Sequence, residues 1–187
     1  SQGNASTALT YNMHCFTMLM MGEMADAHDM DAEVRARHAV LRERNFREVV
    51  EKGVTYGQPH SEPIEEGETD TAFTVGGRRF GTVADKVDGG YRLNGRKFFV
   101  SLSDSADYFA TPAILNQEGG FVEQTLYLKV PRQAKGVFFA GDWDSIGMRP
   151  TVSRNMVLTD VFVPDEAENL PPGVFGGLYL SNAHGPL

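Results

Sequence analysis

The chain has 187 residues, enough for one ordinary domain or for one domain with part of another, and its 41% of hydrophobic residues excludes an intrinsically disordered protein. A formal net charge of −8 disfavours a nucleic-acid partner. Because Cys15 is the only cysteine and no apolar run approaches the roughly 20 residues that a membrane span needs, the sequence predicts a cytoplasmic protein with no disulfide and no membrane span.

The first predicted element is a helix from about Ser6 to Met24. Apolar residues recur there at every third or fourth position, and Asn4 or Ser6 can accept hydrogen bonds from the free amides of the first turn. The helix is rich in methionine, which permits two interpretations. The methionines either pack in a core, which is the simpler interpretation, or form a pliable ligand surface.

A second helix is predicted from Asp31 to about Lys52. Its apolar and charged residues fall on different sides, and Gly53 is placed to end it because glycine readily adopts the left-handed conformation of a helix C-terminus. The acidic segment before it, Ala25 to Asp31, lacks the ligand spacing, the central glycine and the terminal glutamate of a calcium loop. We interpret that segment as a solvated connection between helices.

From Val54 onward the pattern changes to short strands separated by turns. Asn94-Gly95 is a strong hairpin signal, because both central residues of a type I′ turn need positive φ. Short strands with regular turn signals predict a sandwich or barrel rather than βαβ units. The predicted fold class is α+β, a helical segment followed by an antiparallel β-sandwich or barrel. The predicted strands are Val54–Tyr56, Thr71–Val75, Arg78–Ala84, Arg96–Ser101, Tyr108–Asn116, Thr125–Val130, Gly136–Phe139 and Asn155–Val163.

Common catalytic motifs are missing from the sequence. It has no glycine-rich phosphate loop that opens a helix, no zinc-ligand spacing, and no serine or cysteine nucleophile in a recognisable turn. Cys15 directly follows His14, and adjacent residues of a helix point to different faces, so a Cys–His dyad is disfavoured. His60 lies in a loop between prolines, where it either touches a ligand or packs. The residues alone therefore nominate no catalytic group and no metal ligand.

Several segments, taken together and in order, resemble the acyl-CoA dehydrogenase family. The small-residue run Gly3–Leu9 is similar to the start of the helix that lines the family's acyl pocket. Gln58–Pro63 is similar to its flavin loop, and Gly90–Ser101 to its β-hairpin, which typically ends Trp-Ile-Thr. Gly147–Ser153 resembles its Gly-Met-Arg segment. The remaining similar segments are Phe46–Gly53 and Val161–Pro164.

The resemblance implies a flavoprotein with an N-terminal helical domain, a middle β-domain and a C-terminal four-helix domain. Residues 1–53 would be the last part of the first domain, residues 54–165 the middle domain, and residues 166–187 the connection to the third. The chain starts without methionine, and its last residues trail off in glycine, proline and short apolar pairs. We therefore expect a piece of a longer chain.

The resemblance also implies that FAD is bound by two segments. Ser61 and Ser101 stand where the family has threonine, and each keeps a hydroxyl that can hydrogen-bond the edge of the flavin ring. Phe99 stands where tryptophan is common and keeps an aromatic face. Gly67 or Thr69 would approach the pyrophosphate. The expected cofactor-binding residues are Gln58, Pro59, His60, Ser61, Phe99, Val100 and Ser101.

The reaction that the resemblance implies is α,β-dehydrogenation of an acyl-CoA thioester, in which a glutamate removes the α-proton and the flavin takes the β-hydride. In the family that glutamate lies in the C-terminal domain. No carboxylate of this chain is therefore nominated as the base, Glu62 is interpreted as a loop residue, and the chain alone is expected to be inactive. The implied partners are an electron-transfer flavoprotein or similar acceptor and further copies of the chain in a dimer or tetramer.

Two other functions remain open. A flavin-dependent monooxygenase uses the same fold, and the absence of a well-placed glutamate in the C-terminal domain would favour it. A non-catalytic β-sandwich module that has lost flavin is the second. It is favoured by Gln58, which replaces the usual aromatic residue, and by Pro59, which removes a backbone donor from the flavin loop.

Overall fold

The computed structural model describes residues 4–62 and 80–183. Within these ranges the chain begins with helices and continues with strands, as the sequence predicts. The predicted strand Thr71–Val75, the start of the strand at Arg78, and the two residues expected near a pyrophosphate, Gly67 and Thr69, lie outside the described residues. Among the residues described, no helix is both long and apolar enough to cross a membrane.

The first helix, α1, spans Ala5–Leu19 and begins where the sequence predicts. Asn4 is its N-cap, because the Asn4 Oδ1 accepts a hydrogen bond of 2.9 Å from the Ser6 amide. After Leu19 the helix widens to a π-helical turn, Met20–Met24, with a kink at Gly22. A Cβ at Gly22 would lie 2.9 Å from the Phe46 ring, so the absence of a side chain lets this aromatic ring pack against the kink.

The second predicted helix is confirmed. A short helix, α2, spans Ala25–Ala27, and α3 spans Ala32–Lys52. The Asp31 carboxylate accepts a hydrogen bond of 2.8 Å from the Val34 amide and caps α3. Gly53 ends the helix with a φ of 65°, the left-handed conformation that glycine adopts without a steric penalty.

The strands form one mostly antiparallel sheet. They are β1 Tyr56–Gly57, β2 Val83–Val87, β3 Gly90–Val100, β4 Tyr108–Leu115, β5 Thr125–Pro131, β6 Val137–Ala140, β7 Arg154–Pro164 and β8 Glu168–Leu170. Along the sheet the order is β6-β7-β3-β2-β4-β5-β8, with β1 paired to β4 at the side. The β1–β4 and β2–β4 pairs are parallel and the other pairs are antiparallel, so the α+β class is confirmed. The remaining helices of the described residues are α4, Phe121–Gln124, and α5, Val174–Ala183.

The hairpin prediction at Asn94-Gly95 is wrong. The hairpin that joins β2 to β3 turns at Asp88-Gly89, where Val87 pairs with Gly90 and Gly89 has a φ of 71°. An Asp-Gly pair satisfies the same positive-φ requirement as Asn-Gly, and it comes six residues earlier. The chain therefore turns at the first signal and continues through the second as one long strand.

Asn94-Gly95 instead lies inside β3, where the pairing with β7 shifts its register. The Asn94 side-chain oxygen accepts a hydrogen bond of 2.9 Å from the Asp160 amide and so replaces a lost backbone contact. Gly95 is needed for space. A Cβ there would lie 2.5 Å from the Thr82 hydroxyl oxygen and 2.7 Å from the Thr82 Cα.

Two apolar clusters hold the structure together. One lies within the sheet and includes Leu93, Phe109 and Val130, none of which is exposed. The other lies between the helices and the sheet, where Met20 and Met21 pack with apolar residues of β5 and α5. These buried methionines confirm the core interpretation of the methionine-rich helix.

Replacement of Gly95 by alanine is expected to destabilise the protein more than replacement of Gly89. Gly89→Ala places a side chain in open space at positive φ and should lower the free energy of unfolding by about 1 kcal/mol. Gly95→Ala forces a methyl group against the Thr82 backbone and should lower it by about 3 kcal/mol. Urea denaturation of both variants measures the difference. Equal losses would contradict the assigned turn.

Candidate functional site

The two segments that the sequence nominates for cofactor binding meet through the backbone. The Phe98 amide donates a hydrogen bond of 2.8 Å to the Ser61 carbonyl, and the two residues form an isolated antiparallel bridge. This bridge places the loop that follows β1 beside the last residues of β3. The two predicted segments, which are far apart in the sequence, are therefore in direct contact in the structure.

The loop is also held by the carboxylate of Glu62. Its oxygens accept hydrogen bonds from the Gly81 amide, from the Thr82 amide at 3.0 Å and from the Thr82 hydroxyl at 2.7 Å. The Glu62 carboxylate also forms an ion pair with the Lys97 ammonium group. Glu62 is a loop residue by its backbone, as the sequence indicates, but its side chain joins the loop to the sheet.

Lys97 is fully buried within β3. Its ammonium group donates a hydrogen bond of 2.8 Å to the Pro112 carbonyl and lies 5.0 Å from the centre of the Phe80 ring. Burial lowers the pKa of Lys97, because a buried ammonium ion loses its hydration, and the Glu62 carboxylate opposes that shift. Sequence reasoning missed this pair. The two residues are 35 positions apart, and nothing in the linear pattern joins them.

A bulge in β3 turns Phe99 outward. The pairing with β7 shifts between Lys97 and Val100, and Phe99 takes a φ of 53°. As a result Lys97 and Val100 are both buried while Phe99 is 66% exposed. Phe98 and Phe99 lie edge to face with ring centres 6.3 Å apart, so these neighbours do not point to opposite faces as adjacent residues of a regular strand do. Val100, lying in the core, can offer a ligand only its backbone.

Ser101 lies at one end of a chain of three hydroxyl groups. The Ser101 and Ser153 hydroxyl oxygens are 2.9 Å apart, and those of Ser153 and Thr151 are 2.7 Å apart. The Thr151 hydroxyl donates a hydrogen bond of 2.8 Å to the Met148 carbonyl. All three hydroxyl-bearing residues are buried. The segment that contains Thr151 and Ser153 is part of the sequence resemblance, but the resemblance implies no role for either residue.

The other nominated residues of the first segment point toward the helical side. The Gln58 amide nitrogen lies 3.5 Å from the Met20 sulfur, and Pro59 is buried. The His60 ring packs edge to face against Tyr127 and Phe175, with ring centres 5.8 and 5.5 Å away. The side chains of Gln58 and His60 therefore meet residues of the core between the helices and the sheet.

His60 is held in its neutral form. Its Nε2 is buried and has no hydrogen-bond partner among the residues that the structure describes. Burial lowers the pKa of His60 to about 3, and the positive charge of Lys97 lowers it further in the same direction. The sequence left open whether His60 touches a ligand or packs. Its contacts with Tyr127 and Phe175 are packing contacts.

Comparison with known proteins gives relatives by sequence but no match to a family model. The chain is 28% identical over 165 residues to YdbM of Bacillus subtilis, a protein provisionally named an acyl-CoA dehydrogenase. This alignment covers 88% of this chain and 38% of YdbM. The chain is also 35% identical over 82 residues to the oxygenase component of the FADH2-dependent resorcinol hydroxylase of Rhizobium sp.. That alignment covers 44% of this chain and 20% of the hydroxylase component. The chain thus spans less than half of each relative.

Solved structures show the same fold. A protein of Mycobacterium abscessus, provisionally named an acyl-CoA dehydrogenase, aligns with a TM-score of 0.69 at 19% identity over 96% of this chain and 42% of its own. FMN-bound TdsC from Paenibacillus sp. A11-2 aligns with a TM-score of 0.65 at 25% identity over 90% of this chain and 37% of its own. TdsC is a dibenzothiophene monooxygenase.

Loss of the Lys97 charge is expected to destabilise the protein strongly. Lys97→Met leaves the Glu62 carboxylate without its counter-charge in a mostly buried place and should lower the free energy of unfolding by about 3 kcal/mol. The double variant Lys97→Met/Glu62→Gln removes both charges, and its free energy of unfolding should fall by less than that of Lys97→Met alone. Denaturant unfolding of the single and double variants measures this coupling.

Lys86→Met is the matched control, because Lys86 forms a comparable ion pair with Asp165 in which both side chains are about half exposed. Its loss should lower the free energy of unfolding by less than about 1 kcal/mol. An effect of Lys97→Met no larger than that of Lys86→Met would contradict a structural role for the buried pair.

Proposed function

We propose that this chain, whose acyl-CoA dehydrogenase-like sequence and fold confirm the predicted resemblance, supplies one wall of a flavin site in an oxidoreductase. The observation that carries the proposal is the bridge between Ser61 and Phe98. It joins the two segments that the resemblance nominates, and the bulge beside it presents the Phe99 ring to the outside. An exposed aromatic ring, with Ser61 across the bridge and Ser101 two residues further along the chain, supplies the kinds of group that an isoalloxazine ring contacts.

The chemistry of the donor set fits a flavin. The ring system of a flavin is flat and apolar on its faces and carries nitrogen and oxygen atoms along its edge. Phe99 offers an aromatic face, and the hydroxyl groups of Ser61 and Ser101 can take part in hydrogen bonds at the edge. The side chains of Pro59 and Val100 are buried, so these two residues contribute through the backbone and by holding their neighbours in place.

The proposed reaction is α,β-dehydrogenation of an acyl-CoA thioester. A bound flavin supplies the two-electron acceptor for this chemistry. The residues of this chain would orient it, because the exposed Phe99 ring would cover one side of the flavin and the loop bridged to β3 at Ser61 lies beside that ring. The base that removes the α-proton is proposed to lie outside this chain, as the resemblance implies.

The proposed substrate is supported by the exposed apolar side of α1. Tyr11 is 69% exposed, and its apolar neighbours on the helix are also partly open to solvent. The N-terminal end of α1 reaches the loop before β7, where the Ser6 hydroxyl lies 3.7 Å from the Met148 sulfur. An acyl chain that lies along α1 would cover apolar surface and would lead toward the hydroxyl groups at Ser101 and Ser153.

Flavin-dependent monooxygenation is the second candidate reaction. The observation that favours it is the identity to the resorcinol hydroxylase component, which at 35% exceeds the 28% identity to YdbM, although over a shorter stretch. FAD is the proposed cofactor, with FMN as the alternative suggested by the likeness to FMN-bound TdsC. An electron-transfer flavoprotein or similar acceptor, a dimer or tetramer, and a cytoplasmic location belong to the dehydrogenase proposal.

Phe99 is expected to contribute directly to flavin affinity. The full-length protein should be yellow as purified, and Phe99→Ala should weaken flavin binding by about tenfold, since an aromatic stacking contact contributes about 1 kcal/mol or slightly more. Phe138→Ala is the matched control, because Phe138 is also a strand residue and is 60% exposed. Fluorescence titration of the flavin-free protein measures both dissociation constants.

An anaerobic titration of the full-length protein with a panel of acyl-CoA thioesters distinguishes the two candidate reactions. Bleaching of the flavin absorption band supports dehydrogenation. Absence of bleaching by every thioester, with oxygen-dependent product formation by the reduced protein, supports monooxygenation. A colourless protein that binds no flavin would contradict both and would leave the β-sandwich module that has lost flavin.

A further inference from the structure

We infer that Ser101, Ser153 and Thr151 form an ordered hydroxyl relay that sets whether Ser101 donates or accepts a hydrogen bond at the flavin edge. The inference rests on the proposed flavin site and names positioning residues for it. Ser153 and Thr151 act through Ser101, because the chain of contacts runs from Ser101 to Ser153 to Thr151 in steps of 2.9 and 2.7 Å.

The direction of the relay follows from the number of protons. Each hydroxyl group has one proton to donate, and the Met148 carbonyl has none. Because the Thr151 hydroxyl donates to the Met148 carbonyl at 2.8 Å, Ser153 must donate to Thr151, and Ser101 must donate to Ser153. In this order Ser101 has used its proton inside the protein. It presents only lone pairs to a ligand.

The relay can also reverse without leaving the Met148 carbonyl unsatisfied. That carbonyl accepts two further hydrogen bonds, one from the Thr151 amide and one from the Trp143 indole N–H, each 3.0 Å long. If all three hydroxyl groups rotate, Thr151 donates to Ser153, Ser153 to Ser101, and Ser101 outward. No proton leaves the chain, and the reversal loses one hydrogen bond. The order in which Ser101 accepts is therefore favoured.

The backbone around the relay is held in an unusual conformation. Four of the five non-glycine residues with positive φ in the described ranges flank the relay or the Phe99 bulge. The Leu102 amide donates to the Thr151 carbonyl at 2.8 Å, which fixes the two hydroxyl-bearing turns against each other. Strained backbone of this kind clusters at functional sites, where the surrounding structure holds it. The four residues are Phe99, Leu102, Met148 and Val152.

The favoured order of the relay has a consequence for redox chemistry. A ring nitrogen of an oxidised flavin accepts a hydrogen bond, and the proton that such a nitrogen gains on reduction would make it a donor. A Ser101 hydroxyl that offers lone pairs matches the reduced form better. The relay is therefore expected to raise the reduction potential relative to a protein in which the Ser101 hydroxyl rotates freely.

Ser153→Ala tests the relay in the flavin-loaded full-length protein. Without Ser153 the Ser101 hydroxyl can donate outward and stabilise the oxidised flavin, so the equilibrium constant for reduction should fall about tenfold, which is about 30 mV for a two-electron couple. Spectroscopic redox titration measures the potential. Thr151→Val should also lower the reduction potential, because Ser153 then has no acceptor at Thr151 and can donate to Ser101, which leaves the Ser101 proton free to point outward.

Two controls separate the relay from general damage. Thr151→Ser keeps the hydroxyl group and should keep the wild-type potential. Ser103→Ala removes another buried hydroxyl of the same turn, one that donates to the Val100 carbonyl and accepts from the Arg154 amide, and it should also leave the potential unchanged. If either Ser153→Ala or Thr151→Val fails to fold, the other variant gives the measurement.

The relay and the proposed flavin site fail in different ways. If the wild-type protein binds flavin and the potentials of Ser153→Ala and Thr151→Val equal that of the wild type, the relay is refuted and the flavin site stands. A shift of the same size in Ser103→Ala would also refute the relay. A wild-type protein that binds no flavin would overturn the proposed site and the relay together.

Discussion

The buried ion pair between Lys97 and Glu62 is the constraint on which the candidate site depends. An ammonium group without solvent exposure is unfavourable unless a carboxylate and further acceptors surround it, and here the Glu62 carboxylate and the Pro112 carbonyl do so. Because Glu62 also accepts hydrogen bonds from Gly81 and Thr82, one side chain fixes the loop that follows β1 to β3 and to the residues just before β2. The backbone bridge between Ser61 and Phe98 lies directly beside this pair.

The bulge in β3 begins directly after the buried lysine, because the pairing with β7 shifts between Lys97 and Val100. Both residues are buried, Lys97 beside the Phe80 ring and the Pro112 carbonyl, and Val100 in the apolar cluster of the sheet. Between them Phe99 takes a φ of 53° and its ring is exposed. The buried charge, the register shift and the exposed ring thus lie within residues 97–100, where the surface proposed to meet a flavin begins.

The sequence predicts the local structure well where the signal is local. Asp31 and Gly53 mark the ends of α3 because capping depends on neighbouring residues. Asn94-Gly95 misled the hairpin prediction because turn propensity does not say which of two nearby signals is used. The pairing of Lys97 with Glu62 and the contact of Ser101 with Ser153 escaped prediction, since each joins residues 35 or more positions apart. Only the resemblance to a family brought the two candidate segments into one site.

The measurement that tests the account most directly is a structure of the full-length protein with its cofactor bound. The account predicts that a flavin ring lies against Phe99, with its edge within hydrogen-bonding distance of Ser101 and with the loop at Ser61 in the bridged position described here. A flavin bound at another surface, or a Phe99 ring that remains in solvent in the loaded protein, would contradict it.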